Sequence, residues 1–254
     1  MKVNVNSNTL KNALEKIQVK GKYVNKGGLS AGKLDEVFYM TAKDDTLSLW
    51  TGNNTFIVNL QIEAEVLEQG AYIGKSSPII AYLKKFDGDV MLEKGDFLTL
   101  SAGSKRASLP RVVEWPPLNA ITRMGPMMMD VPLEIKPDAL PSVGRAAFEG
   151  CFVLSNQVFS DVISGCELVG SGVYKINFDE ELTFSSSDGV TNNYSEVVEP
   201  LFRTGDPATV EYSGPLHSFF EKDQMLTFYV LDDAPLLIVA DDRRLVKAPY
   251  VAGV

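Results

Sequence analysis

Apolar positions along the chain follow two periods, and the two alternate in the same order twice. In 8–20 (NTLKNALEKIQVK), Leu10, Ala13, Leu14 and Ile17 fall three and four apart, which predicts an amphipathic helix. In 75–86 (KSSPIIAYLKKF), Ser76 or Ser77 caps a second predicted helix with Pro78 in its first turn, and Ile79, Leu83 and Phe86 share one face. The stretch 212–223 (YSGPLHSFFEKD) repeats that device with Ser213, Pro215, Leu216 and Phe220. Elsewhere the period is two. Val90, Leu92, Leu98 and Leu100 alternate with polar residues, as do Leu226, Phe228 and Val230, so strands are predicted there.

The order of features is duplicated. Residues 37–63 and 173–199 both read as three strands joined by polar turns, and 89–110 matches 225–249 as strand, acidic turn, strand, polar turn, strand. Matching features lie roughly 135–139 positions apart, too long for a solenoid repeat. At that offset the partner of the first helix falls in 137–148 (PDALPSVGRAAF), with Leu140, Val143 and Ala147 as its apolar positions and Pro141 and Gly144 weakening it. Residues 111–132, rich in Pro and Met, read as a linker without periodicity. The expected architecture is α+β: a first domain over 1–112, a linker over 113–132 and a second domain over 133–254, each with about two helices on antiparallel sheets.

Composition narrows the chemistry. With 254 residues, 45% hydrophobic and 22% charged, the chain can bury a core. No apolar run approaches a membrane span, and MKVNVNSN lacks the core of a signal peptide, which points to an intracellular protein with no membrane partner. Cys151 and Cys166 form no disulfide framework or zinc ribbon and read as reduced, buried thiols. His217 is the single histidine, which excludes a multi-histidine metal site; it reads as a partly buried structural side chain. No phosphate-loop, dinucleotide-binding or nucleophile-elbow motif occurs. The pairs Asp44-Asp45, Asp232-Asp233 and Asp241-Asp242 lie between alternating runs, where Asp favours turns. No enzyme, metal or cofactor is expected. The net charge of −9 argues against a tight nucleic-acid binder, yet the cations are segregated. Lys11, Lys16, Lys20, Lys22 and Lys26 crowd the first helix and its exit, Lys75, Lys84 and Lys85 flank the second, and the second half offers Arg145, Lys222 and Lys136. The methionines Met124 and Met127-Met128-Met129 suit either an adaptable docking surface or a covered seam.

Residues 231–249 (LDDAPLLIVADDRRLVKAP) resemble the last hairpin of sliding clamps of the proliferating cell nuclear antigen type, and 70–110 resemble a domain of the bacterial polymerase III beta subunit and the archaeal clamps. The resemblance implies a ring of three two-domain subunits, a homotrimer whose helices line a hole around duplex DNA. Such a ring is a processivity factor: it binds DNA without sequence preference, tethers DNA polymerase and other replication and repair proteins through short peptide motifs, and depends on an ATP-driven clamp loader. Carried over, Lys11, Lys16, Lys20, Lys75, Lys84, Lys85, Arg145 and Lys222 face DNA. The same resemblance assigns Met40, Leu47, Leu118, Ile121, Pro235, Leu236, Ala248, Pro249 and Tyr250 to a partner-peptide pocket. It places Lys105, Arg106, Arg111 and Val113 of one subunit against Asn193, Tyr194 and Val197 of the next. The competing readings are a monomeric or dimeric processivity factor of the same fold and a carboxylate-based hydrolase on an all-β scaffold.

Overall fold

The structure, a computed structural model, describes residues 1–18, 36–53, 55–132, 140–214 and 216–250. The chain forms two compact units that meet in sequence between Ile121 and Thr122.

The first unit is built from β1 (Lys2–Asn6), α1 (Ser7–Ile17), β2 (Val37–Lys43), β3 (Thr46–Gly52), β4 (Phe56–Glu63), β5 (Glu65–Glu68), β6 (Gly70–Lys75), α2 (Ser76–Leu83), β7 (Asp89–Lys94), β8 (Phe97–Ala102) and β9 (Lys105–Pro110). All pairings are antiparallel. One sheet runs β5-β1-β7-β8-β9, and the strands β4-β3-β2-β6 lie side by side in that order. The inward residues of both sheets (Val3, Val90, Leu92, Leu98 and Leu100 from one, Met40, Leu47, Leu49 and Leu60 from the other) join Leu10, Leu14, Ile79 and Leu83 of the helices in one core. The period-two pattern of the strands and the helical spacing of α1 and α2 are thus two views of one buried surface.

The second unit repeats this connectivity. It holds α3 (Pro117–Met129), a two-stranded hairpin of β10 (Ser142–Val143) and β11 (Ala146–Ala147), then β12 (Gly150–Ser155), α4 (Asn156–Glu167), β13 (Val173–Phe178), β14 (Leu182–Ser187), β15 (Asn193–Val198), β16 (Phe202–Gly205), β17 (Ala208–Ser213), a 3-10 turn at Leu216–Phe219, β18 (Met225–Val230), β19 (Leu236–Ala240) and β20 (Arg243–Lys247). The division between the units falls inside α3. Strand β12 pairs with β16 and β18 as β1 pairs with β5 and β7, and β13 pairs with β14 and β17 as β2 pairs with β3 and β6. The core centres on Phe152, whose ring stacks on Phe228 at 4.7 Å, with Phe159, Phe178 and Phe184 around it.

Turn chemistry follows the acidic pairs. Asp44, Asp45 and Asp233 all take positive φ, a conformation that Asp tolerates and tight hairpins need. Both cysteines are free and buried; burial pushes their thiols up to about 12 and about 11, so neither is a nucleophile near neutral pH.

The structure departs from the sequence reading in four places. Residues 142–147 form a hairpin and no helix, because Gly144 takes a φ of 66° at its turn and Pro141 has no N–H to give. The counterpart of α1 is α4, where Phe159, Val162, Ile163 and Cys166 carry the helical spacing. The displacement has a simple cause: the chain between α1 and β2 (residues 18–36) is far longer than that between α4 and β13 (168–172), so no single offset aligns both halves. The expected linker contains α3, which starts on Pro117, a good first-turn residue, and buries Ile121 and Met128 along one face. The helix expected after Ser213 is a single 3-10 turn; Ser213 ends β17, and Pro215 lies outside the described residues. Nor does either serine cap α2. Lys75 is the cap residue, and the Ser76 hydroxyl instead donates to the Glu36 carbonyl at 3.0 Å.

Replacing Phe152 by Ala removes the ring that joins both layers of the second unit. The expected cost is about 3–5 kcal/mol, read as a lower midpoint in chemical denaturation; a change within error would show that the aromatic cluster is not the centre of this core.

Candidate nucleic-acid interface

The lysine-bearing helices of the first unit are fixed by local chemistry. Asn6 caps α1, its side-chain oxygen accepting from the N–H groups of Asn8 at 3.1 Å and Thr9 at 3.2 Å. Leu10, Ala13, Leu14 and Ile17 are buried, which leaves Lys16 exposed and Lys11 half-exposed on the other side. Gln18 at the end of α1 donates to the Ser76 hydroxyl at 2.6 Å, tying the two helices together. In α2, Ile79, Ile80 and Leu83 point inward, and Lys75, Lys84 and Lys85 are exposed at its two ends. Lys84 lies 3.8 Å from Glu15, the one acid of α1. Lys105 of β9 donates to the Lys85 carbonyl at 2.5 Å just past α2 and sits 3.7 Å from Asp87; a cation there also complements the helix dipole. The result is one cationic face carried by α1, α2 and the start of β9.

Among the described residues the second unit does not supply a matching face. Arg145 is exposed at the turn of the β10–β11 hairpin, off any helix, and Lys222 is exposed after the 3-10 turn. Helix α4 is capped by Ser155, which accepts from Val158 N at 3.3 Å, and its outward positions include Asp161, Ser164 and Glu167 with no Lys or Arg. The sequence expectations for Lys20, Lys22, Lys26 and Lys136 lie outside the described residues. His217 is half-buried and meets Phe159 edge-on at 6.3 Å, the structural role its setting predicts.

Two edge strands bear on assembly. β9 ends the five-stranded sheet of the first unit and β15 ends the four-stranded sheet of the second. Lys105 and Arg106 are exposed on β9, with Arg111 and Val113 exposed just beyond it. On β15, Asn193 and Val197 are exposed, and Glu196 and Glu199 are the charged residues of that stretch. One edge is cationic and the other anionic. Tyr194 holds β15 in place: its ring covers Gly165 of α4, where even a Cβ would come within 2.3 Å of the ring. Its hydroxyl donates to Glu196, which pushes the phenol up to about 12.

The residues assigned to a partner pocket divide by exposure. Met40, Leu47, Ile121 and Leu236 are buried, whereas Leu118, Pro235, Ala248, Pro249 and Tyr250 carry exposed surface. The Tyr250 N–H donates to the Glu211 carbonyl at 2.7 Å, which fixes the last described residue to the second unit. Sequence reasoning did not single out Lys247, beside them on β20. It is 2% exposed and has neither an ion pair nor a hydrogen bond among the described residues, and burial depresses its ammonium to about 8. Among the described residues no group of three or more His, Cys, Asp or Glu side chains could hold a metal ion, and no helix is long and apolar enough to cross a membrane.

No protein-family model matches the sequence, and no curated protein matches it. Solved structures do. The chain superposes on Archaeoglobus-type PCNA ("A. fulgidus PCNA", bound to the C-terminal region of FEN-1) with a TM-score of 0.68 at 13% identity, covering 100% of this chain and 99% of that one. PCNA from Thermococcus kodakaraensis matches with a TM-score of 0.63 at 14% identity, over 98% of this chain and 99% of that one. The chain has the sliding-clamp fold. It also matches the DNA polymerase III beta subunit of Thermotoga maritima, with a TM-score of 0.75 at 11% identity; there 100% of this chain covers 66% of the longer one. The clamp fold accounts for the doubled connectivity, since each unit is one copy of the same β-α-β module.

The lysine with a depressed pKa gives a pH signature. Between about 8 and its ordinary value near 10.5, Lys247 is neutral in the folded chain and protonated in the unfolded one. The unfolded state then binds more protons, so stability rises with pH across that window. From about 9 the buried thiols of Cys151 and Cys166, raised to about 12 and about 11, oppose this, and above about 10 the buried phenols Tyr72 and Tyr229, raised to about 12, add to the reversal. Unfolding midpoints should climb between about pH 8 and 9 in the wild type and turn down above that, and Lys247→Met should remove the climb.

Proposed function

We propose that the chain is a sliding clamp, a DNA polymerase processivity factor in which three copies close head to tail into a ring around duplex DNA. The observation that carries this reading is the pair of edge strands. β9 and β15 end sheets of different units, and their charges are opposite, with Lys105, Arg106 and Arg111 on one side and Glu196 and Glu199 on the other. A head-to-tail contact between copies pairs unlike edges and closes when the rotation returns to the start. Pairing also satisfies backbone groups that an open edge leaves exposed. The match to PCNA chains of nearly the same length supports a two-unit subunit and hence three copies per ring.

The ring itself makes and breaks no bond. Topology keeps it on the duplex, so a modest cationic lining is sufficient and tight phosphate binding would hinder sliding. That resolves the tension between a net charge of −9 and a DNA partner. Tethering a polymerase raises its local concentration at the primer end. One PCNA neighbour is bound to the C-terminal region of FEN-1 and one beta clamp to a DNA ligase peptide, which supports short peptide segments as partners here. Of the positions assigned to that role, Leu118, Pro235, Ala248, Pro249 and Tyr250 are those with surface to offer. Opening the ring falls to an ATP-driven loader, and the working place of the protein is replicating DNA inside the cell.

Sedimentation should give three times the mass of the chain, and loaded protein should stay on circular DNA and run off when the circle is cut. A monomer, or equal loss from both DNAs, would favour the non-ring processivity factor. The interface has its own test. Arg106→Glu should weaken the trimer, and adding Glu196→Arg should restore it if the two edges meet.

A further inference from the structure

We propose that duplex DNA is held by the helix pair of the first unit alone, and that the second unit presents an anionic helix that makes no phosphate contact. This rests on the clamp reading above and concerns how such a ring touches its DNA.

The two helices compared are equivalents. α1 follows β1, precedes β2 and packs on β1, β3 and β4; α4 follows β12, precedes β13 and packs on β12, β14 and β15. Each strand in the first set is the counterpart of one in the second. α4 is therefore the second unit's own equivalent of α1. Their outer surfaces carry opposite charge. Over 7–18 and 75–85 there are five lysines (Lys11, Lys16, Lys75, Lys84 and Lys85) against Glu15. Over the corresponding 156–167 and 216–223 there is Lys222 against Asp161, Glu167, Glu221 and Asp223. Arg243, the one guanidinium close by, is buried and spent within the fold. It binds the Asp242 carboxylate at 2.6 Å and the Phe219 carbonyl, and lies 3.7 Å from Glu221. Asp161 is exposed and accepts the Gln157 amide at 2.6–2.7 Å, so its charge stays at the surface.

Physical chemistry then decides which face binds. Each phosphate neutralised by a lysine releases condensed counterions, and an acidic face releases none. Within a Debye length of about 8 Å, Asp161 and Glu167 repel the backbone that Lys16 and Lys85 attract. Each copy thus offers the duplex one cationic helix pair instead of two. Sliding is eased, since fewer phosphate contacts break and reform at each step.

The test is the salt dependence of binding to a labelled duplex, followed by fluorescence anisotropy on the full chain across a NaCl series. Trimer mass and circular dichroism would be checked for every variant. Lys16→Gln and Lys85→Gln should each weaken binding and reduce the log–log salt slope by about 0.9 for every copy whose lysine meets a phosphate. Arg145→Gln and Lys222→Gln should leave the slope unchanged, and Asp161→Asn with Glu167→Gln should tighten binding. Slope losses at Arg145 or Lys222 equal to those at Lys16 and Lys85 would overturn the one-sided grip while leaving the clamp intact. Absence of duplex binding by the wild type at the lowest salt, with no retention on loaded circles, would overturn both.

Discussion

An open sheet edge exposes a row of backbone donors and acceptors that water satisfies only until another strand arrives. This chain has such an edge on each unit, at β9 and at β15, and the rest of its biology depends on what they do. Each is anchored from behind. Lys105 ties the start of β9 to the end of α2, and the Tyr194 ring seats β15 on Gly165 of α4. The edges are therefore presented in a fixed position, and their opposite charges favour unlike over like pairing. The proposed head-to-tail assembly draws on that asymmetry more directly than on any hydrophobic patch.

The electrostatics fit the proposed ring, which holds by enclosure. An anionic chain with one cationic helix pair attracts a polyanion weakly and from one direction. Tight, specific binding would need base contacts or many phosphate contacts, and the described surface provides neither a reading element nor an extended basic stripe. The two thiols are buried and held neutral, and the acidic pairs shape hairpins at positive φ.

Much of this was legible in the sequence where local chemistry decides the outcome. The alternation of Val90, Leu92, Leu98 and Leu100, the Asp44-Asp45 and Asp232-Asp233 turns, and the spacing of Leu10, Leu14 and Ile17 each specify their element within a few residues. α4 was equally readable, since Phe159, Val162, Ile163 and Cys166 have helical spacing. It was overlooked because a constant offset directed attention to 137–148, and the two halves differ in the length of one connection. α3 was hidden by Pro126 and by methionines, which mask periodicity, although Ile121 and Met128 mark its buried face. The exposed lysines of α1 and of the ends of α2 were legible because lysine on the outer face of an amphipathic helix is a local pattern. Arg145 lies at the turn of the β10–β11 hairpin and not on the helix expected over 137–148.

Taken by itself, the sequence determined the existence of twin modules, the placement of most strands and the segregation of lysines onto α1 and α2, because periods of two and 3.6 residues and turn chemistry act over short distances. Tertiary structure decided which strands become edges, which helix of the second unit stands where α1 stands in the first, and that this equivalent is acidic. It also decided that the Lys247 ammonium is buried with no partner among the described residues. Those properties depend on which segments far apart in the chain lie side by side, and pairing between distant strands leaves no local trace in the order of residues.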